Sequence, residues 1–256
     1  MNFGLNLYSL RTKIKTREDF ENTASLLKNM GYSCLQFSGA PFDADLIKSV
    51  SESTDIPILL THVPFDRILN DSEKLVEEHK LFGCSNIGLG MMPFEGLSDT
   101  EIKNNIVKLE EAGKRLSELG AKFFYHNHAH EFCKMKSGQT IFDYMIENTE
   151  HVNFILDTYW LQVGGVNIID YVKKLSGRIE CVHLKDYIPC YGPNGLAPRF
   201  APVGEGNLNW KAIIDAMKAS GTKYFFVEQD DACDYDAPFA QVESSIKYLN
   251  HNFKEN

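Results

Sequence analysis

The sequence predicts a (β/α)8 barrel, an α/β TIM barrel, as a single domain over residues 1–256. Three observations carry this reading. Eight short strand-like runs alternate with eight amphipathic helical stretches, no Pro/Gly/Ser-rich linker or charge block divides them, and four successive strands in the second half end on a residue able to bind a metal. A chain of 256 residues matches the ~250 typical of eight βα units. A doubly wound sheet uses the same alternation, so the strand ends are what favour the barrel, whose chemistry gathers at the C-terminal ends of its strands.

Taken in order, the expected strands are 3–9, 33–38, 58–62, 86–90, 122–127, 153–158, 180–185 and 224–229. The expected helices are 16–30, 43–53, 71–82, 98–119, 141–148, 168–175, 210–219 and 237–252. Gly31, Gly83, Gly120, Gly177 and Gly221 each follow a helical stretch, where a left-handed cap prefers glycine. Ser98 and Glu101 have the spacing of a capping box at the start of the fourth helix. Residues 187–207 read as a long loop rich in Gly and Pro, of a length often used as a functional lid.

An apolar fraction of 43% with 17 Phe supplies a sizeable core. Thirty-five acidic against 26 basic side chains give a formal charge of −9, which argues against nucleic acid or an anionic membrane as partner. The opening MNFGLNLYSL has no basic segment before an apolar stretch, and apolar runs elsewhere fall far short of the ~18 residues of a membrane helix. Cys34, Cys84, Cys133, Cys181, Cys190 and Cys233 form no CxxC pair, so reduced thiols and a cytoplasmic location are expected.

The strand ends carry the chemistry. Phe124/His126 in FFYHNH, Ile155/Asp157 in FILDTY, Cys181/His183 in CVHLKD and Phe226/Glu228 in FFVEQD share one spacing. Side chains alternate along a strand, so each potential ligand lies on the same face as the apolar or small residue two before it. The next positions on that face are His128, Tyr159, Lys185 and Asp230. A single histidine is more often a core or surface residue than a ligand, but four ligand types in register are harder to dismiss. Two imidazoles and two carboxylates in one apolar pocket need a cation to offset their desolvation. One divalent ion is expected, manganese or zinc favoured, with magnesium, cobalt and iron compatible with the same N and O donors.

The segments YHNHAHEF, LDTYW followed by GG, HLKD, PVGEGNLNW and VEQDD, with the opening FGLNLYSLRT, resemble the xylose isomerase-like barrel superfamily, in particular its sugar phosphate isomerase/epimerase members. The resemblance runs from the first strand to the eighth. It implies a divalent-metal site at the barrel mouth that binds vicinal oxygens of a keto-sugar or cyclitol, with Asp157, His183 and Glu228 at ligand positions. The fifth strand departs from the pattern, because many epimerases place Glu before Asn-His where this chain has His126 before Asn127 and His128. The resemblance implies two metal-bound glutamates exchanging protons from opposite sides, so the departure puts that symmetric scheme in question. Glu131, from the following loop, is the alternative fourth ligand; its position beyond the strand end favours His126.

Glu228 is the expected base, aided by Lys185 or His128, with a cation beside Lys185 expected to lower its ammonium pKa. Tyr8, His62 and Trp160 are expected at the substrate wall and rim, and Arg199 and Glu205 on the long loop as contacts to a substrate anion or hydroxyl. The leading expectation is a metal-dependent isomerase or epimerase of a small sugar-like ketone. The alternatives are a dehydratase or lyase of a keto-cyclitol or 3-keto-sugar, an apurinic-site endonuclease, disfavoured by the acidic chain, and a non-catalytic carbohydrate-binding barrel. A homo-oligomer is compatible with all of these.

Overall fold

A computed structural model describes residues 1–193 and 195–254. Eight strands close into a parallel barrel: β1 (Asn2–Asn6), β2 (Cys34–Phe37), β3 (Ile58–His62), β4 (Asn86–Leu89), β5 (Lys122–His126), β6 (Val152–Asp157), β7 (Cys181–Leu184) and, after an inserted hairpin of β8 (Asp186–Gly192) and β9 (Gly195–Ala201), β10 (Tyr224–Val227). β10 pairs with both β7 and β1, which completes the ring. Around it lie α1 (Arg17–Met30), α2 (Ala44–Thr54), α3 (Phe65–Asn70), α4 (Ser72–Lys80), α5 (Asp99–Glu118), α6 (Ile141–Glu147), α7 (Thr158–Val163), α8 (Ile168–Lys174), α9 (Trp210–Ala219) and α10 (Pro238–Phe253). None of the helices among the described residues is long and apolar enough to cross a membrane.

The local signals act as expected. Ser98 accepts from the Glu101 amide while Glu101 accepts from the Ser98 amide, and Thr16 with Asp19 repeats the arrangement at α1. Gly31 ends α1 at φ 106 with its N–H on the Leu27 and Lys28 carbonyls. All six cysteines are free.

Three local expectations need correction. The first strand stops at Asn6 rather than continuing to residue 9, because the Asn6 side chain accepts from the Tyr8 amide and winds residues 7–13 into 3-10 turns. The segment 187–207, expected as an open loop, contains most of the antiparallel hairpin, paired from Asp186↔Ala201 to Gly192↔Gly195; residue 194 at its tip lies outside the described residues. Pro189 and Pro198 face each other across it, and prolines are what demote such runs in a sequence reading. The sixth strand gives way to α7 immediately after Asp157.

Two hydrophobic layers hold the barrel. The larger lies between the outer strand faces and the helices. The smaller fills the barrel interior and consists of Cys34, Leu60, Phe124, Ile155, Cys181 and Phe226, with Leu59 and Tyr224 packed against it. Phe124, Ile155, Cys181 and Phe226 are the residues two before the strand-end ligands. Two strands contribute glycine at this level: a Cβ on Gly4 would lie 2.6 Å from the Phe226 ring, and one on Gly88 2.5 Å from the Thr61 carbonyl oxygen. The missing side chain at Gly4 leaves the space that the Phe226 ring fills, and that at Gly88 admits His62 and Ile155.

Replacing Gly88 by Ala should therefore destabilise the fold by about 1–3 kcal/mol, as overpacking of a full core does. Urea unfolding measures this, and an unchanged midpoint would contradict the packing described.

Candidate active site

The interior layer above the apolar floor is built by adding two residues to each strand's floor position. It reads Asn6, Gln36, His62, Gly90, His126, Asp157, His183 and Glu228 around the barrel. Apart from half-buried His62 and Gly90 these residues are buried. One ligand atom from each of His126, Asp157, His183 and Glu228 lies within 4.8 Å of all the others, which makes the set a group able to hold a metal ion.

Outer partners orient each member. His126 Nδ1 donates to the Gly90 carbonyl at 3.0 Å, so its Nε2 carries the lone pair, 3.2 Å from Asp157 Oδ2. His183 Nε2 donates to Gln36 Oε1 at 2.7 Å, so in the neutral ring Nδ1 carries the lone pair; burial lowers the ring's pKa, but Glu228 and Asp157 outweigh it and raise it. That Nδ1 approaches Glu228 Oε2 to 2.9 Å and Asp157 Oδ2 to 3.7 Å. The 2.9 Å approach has the closeness of an ion pair but not the direction of a hydrogen bond, and both atoms remain buried without a hydrogen-bond partner among the described residues. Asn6 Nδ2 donates to Glu228 Oε1 at 2.7 Å, and Ser38 Oγ donates in turn to Asn6 Oδ1. The Trp160 amide donates to Asp157 Oδ1 at 3.0 Å, so one carboxylate caps α7 while its other oxygen faces the cluster.

Lone pairs of two imidazoles thus converge with two carboxylate oxygens, an arrangement that repels itself without a positive charge between them. The donor set fits a divalent cation, and the far nitrogens tied to a carbonyl and an amide are the usual outer shell of such sites.

Among the protein's own groups Lys185 supplies positive charge. Its fully buried Nζ lies 3.0 Å from Glu228, 3.3 Å from Asp157 and 2.9 Å from Asp230. Burial alone would lower its pKa, but the three carboxylates overcome this and raise it above the usual lysine range. The depression expected from a neighbouring cation is a separate effect, which would oppose the pull of these three anions. Burial likewise raises Asp157 and Glu228, yet Lys185, His183 and His126 bring both below the ordinary carboxylate range. Burial lifts Asp230 to about 6 against the pull of Lys185.

His128 stands beside the cluster, its ring 4.6 Å from that of His126 and 5.2 Å from Trp160. Burial and the charges of His126 and Lys185 hold it neutral, near about 2. His128 Nδ1 and Trp160 Nε1 are buried without a hydrogen-bond partner among the described residues. The Lys185 ammonium lies over the Trp160 and Phe200 rings, at 5.3 and 5.4 Å.

The other expected site residues divide. His62 joins the cluster, its ring 5.5 Å from His126 and 5.8 Å from His183. Tyr8 lies on the first turn beyond β1, with the Arg11 guanidinium 4.6 Å over its ring and anchored on the Tyr8 and Asp230 carbonyls. Arg199 is exposed on β9, and Glu205 is turned outward to Ser244 of α10; neither reaches the cluster. Asp186 holds that segment instead, accepting from the amides of Gly204, Gly206 and Leu208 and from Trp210 Nε1. Glu131 is buried against Tyr125 Oη and the His128 amide, on the helix side of β5, which leaves His126 as the strand-five member. His128, His130 and Glu131 form a second, looser group of ligand types.

Residues 24–251 match the sequence profile of the xylose isomerase-like TIM barrel, and the chain belongs to that family. A sugar phosphate isomerase/epimerase from Parabacteroides distasonis superposes with TM-score 0.82 at 21% identity, covering 98% of this chain and 94% of that one. The 3-keto-D-glucoside 4-epimerase from E. coli gives 0.68 at 16% identity over 98% and 99%. The probable 3-DHS dehydratase of Bacillus anthracis gives 0.71 at 13% over 98% and 100%. No curated protein matches the sequence.

Replacing Lys185 by Met removes the ammonium shared by buried Asp157 and Glu228 and half-buried Asp230, and should destabilise the metal-free protein by about 3–5 kcal/mol. Manganese or zinc should recover part of that loss. Thermal melts with and without the ion measure both effects, and a variant as stable as wild type without metal would contradict the charge balance described.

Proposed function

We propose that the chain is a divalent-metal-dependent enzyme that isomerises or epimerises a small keto-sugar or related polyol by moving a proton on the carbon next to a carbonyl. The observation that carries this reading is the convergence of His126 Nε2, Asp157 Oδ2, His183 Nδ1 and Glu228 Oε2, of which His183 Nδ1 and Glu228 Oε2 have no hydrogen-bond partner among the described residues. Those four residues would hold the ion, manganese or zinc best matching the donors. A cation there supplies Lewis acidity that stabilises negative charge on a substrate oxygen.

The protein's own groups divide the remaining work. Glu228 is ionised and oriented through Oε1 by Asn6, so its carboxylate is the acceptor for the substrate proton. Lys185, held charged, acts as an N–H donor and electrostatic partner to developing oxyanion character rather than as a base. His128 is neutral and its Nδ1 is uncommitted, so it accepts from a substrate hydroxyl or passes a proton. Trp160 offers both a ring face and a free Nε1–H, while Tyr8 and His62 extend the wall on the opposite strands. The small-molecule substrate and the barrel fold accord with the epimerases that superpose on the chain.

One observation favours a second reading, elimination of water by a dehydratase or lyase. Where a two-base epimerase needs a second carboxylate, this site has His126, and Glu131 faces away from the cluster. A single carboxylate base with a neutral imidazole beside it removes a proton and lets a β-hydroxyl leave without returning the proton to the opposite face. The two outcomes share the first step and differ in product.

Ketoses, inososes and 3-keto-glycosides incubated in deuterated water with saturating manganese separate them. Solvent deuterium in recovered ketose supports isomerisation or epimerisation, and an unsaturated product supports elimination. Glu228→Gln, at the same metal occupancy, should slow either by about 10²–10⁴-fold. Unimpaired turnover by that variant would remove Glu228 from the role.

A further inference from the structure

Gln36 lies at the middle of the polar ring and touches two imidazoles with one buried amide. Its Oε1 is 2.7 Å from His183 Nε2, and its Nε2 is 3.0 Å from His62 Nε2. An amide oxygen only accepts and an amide nitrogen only donates, so each contact reports where the neighbouring ring carries its proton. We propose that Gln36 is a positioning residue that imposes opposite tautomers on His183 and His62. His183 keeps its proton on Nε2 and turns the Nδ1 lone pair to the cation. His62 accepts at Nε2 and so keeps its proton on Nδ1, where it serves as a hydrogen-bond donor to substrate. This assignment rests on the metal reading above.

The surroundings make the tautomer, rather than protonation, the deciding variable at His62. The rings of His126 and His183 stand 5.5 and 5.8 Å away, and a neutral ring among them presents one donor and one acceptor nitrogen. No described protein group hydrogen-bonds its Nδ1, and a Cβ on Gly90 would come within 3.0 Å of that nitrogen. The absent side chain keeps the Nδ1 edge open. Gln36 itself is fully buried and fixed by strand pairing to Asn6 on one side and Leu60 on the other.

The reversed amide shows what the observed orientation excludes. With its nitrogen toward His183, the amide would force the proton of that ring onto Nδ1, which would then point at Glu228 Oε2 and close the ring to a cation. The same reversal would move the His62 proton to Nε2 and leave an acceptor at the open edge. One amide rotation therefore couples metal readiness on β7 to the polarity of a rim residue on β3.

Zinc is diamagnetic, so the test is made on zinc-loaded protein, with zinc affinity measured by calorimetry and imidazole protonation read from long-range ¹H–¹⁵N correlation spectra. Wild type should show His183 protonated at Nε2 and His62 at Nδ1. Gln36→Glu presents two acceptors: it should keep zinc affinity within a few fold while the His62 proton moves to Nε2. Gln36→Leu removes both contacts and should weaken zinc binding by roughly 10–100-fold, the range seen when an outer partner of a metal-bound histidine is lost. A merely structural role would not invert one ring while sparing metal affinity in the Glu variant. Should the Leu variant fail to fold, the Glu variant alone decides. Zinc binding by wild type together with a His62 proton already on Nε2, or a folded Leu variant of unchanged affinity, overturns the assignment to Gln36. Absence of zinc binding by wild type instead overturns the metal reading and this role with it.

Discussion

Two buried carboxylates meeting two imidazole lone pairs in a dry barrel mouth set the terms for the rest of this structure. Charges out of water are destabilising unless paired, and here the pairing is unusually crowded: Lys185 alone faces Asp157, Glu228 and Asp230. Every surrounding contact serves to keep those groups charged and aimed. Asn6 fixes one oxygen of Glu228, α7 fixes one oxygen of Asp157, and Gly90 and Gln36 fix the far nitrogens of His126 and His183. What remains unsatisfied points inward, an arrangement able to hold a cation.

The barrel makes this economical to build. Each strand contributes one floor residue and, two residues later, one ring residue, so a fixed period of two turns eight separate segments into two stacked layers. The floor is apolar where the ring is ionic, with Phe124 under His126 and Phe226 under Glu228, and a low-polarity floor strengthens each charge interaction above it. Gly4 admits the Phe226 ring and Gly88 admits His62 and Ile155, because a side chain at either position would collide with Phe226 or with the neighbouring strand. Asp157 shows the same economy at one residue: it ends β6, caps α7 and faces the cluster.

Much of this was legible in the sequence. The alternation of strands and helices follows from hydrophobic period and from glycine and capping signals, which are local, and the element boundaries agree within a few residues. The spacing of Phe124/His126, Ile155/Asp157, Cys181/His183 and Phe226/Glu228 is also local, and it located half of the ring. The other half escaped because the search was for metal-ligand types: Asn6 and Gln36 sit at the same offset from Gly4 and Cys34, but amides carry no charge signal. His62 showed only as a rim residue, since its offset from Leu60 has meaning only once the barrel is closed. Arg199 and Glu205 suggested a lid contact from loop composition alone. A hairpin with prolines facing across it, anchored through buried Asp186, carries them elsewhere, and tertiary hydrogen bonds of that kind leave no periodic trace. The carboxylates around Lys185 left no local trace either, since Asp157 at the end of β6 and Glu228 and Asp230 beyond β10 meet it only in the folded ring.

The central claim is that one cation binds where the four strand ends meet. Anomalous diffraction from crystals of the manganese-loaded protein tests it most directly. The account predicts a single strong peak within bonding distance of His126 Nε2, Asp157 Oδ2, His183 Nδ1 and Glu228 Oε2, with the Lys185 ammonium displaced from between the carboxylates. A peak confined to His128, His130 and Glu131, or none inside the barrel at full manganese loading, would contradict it.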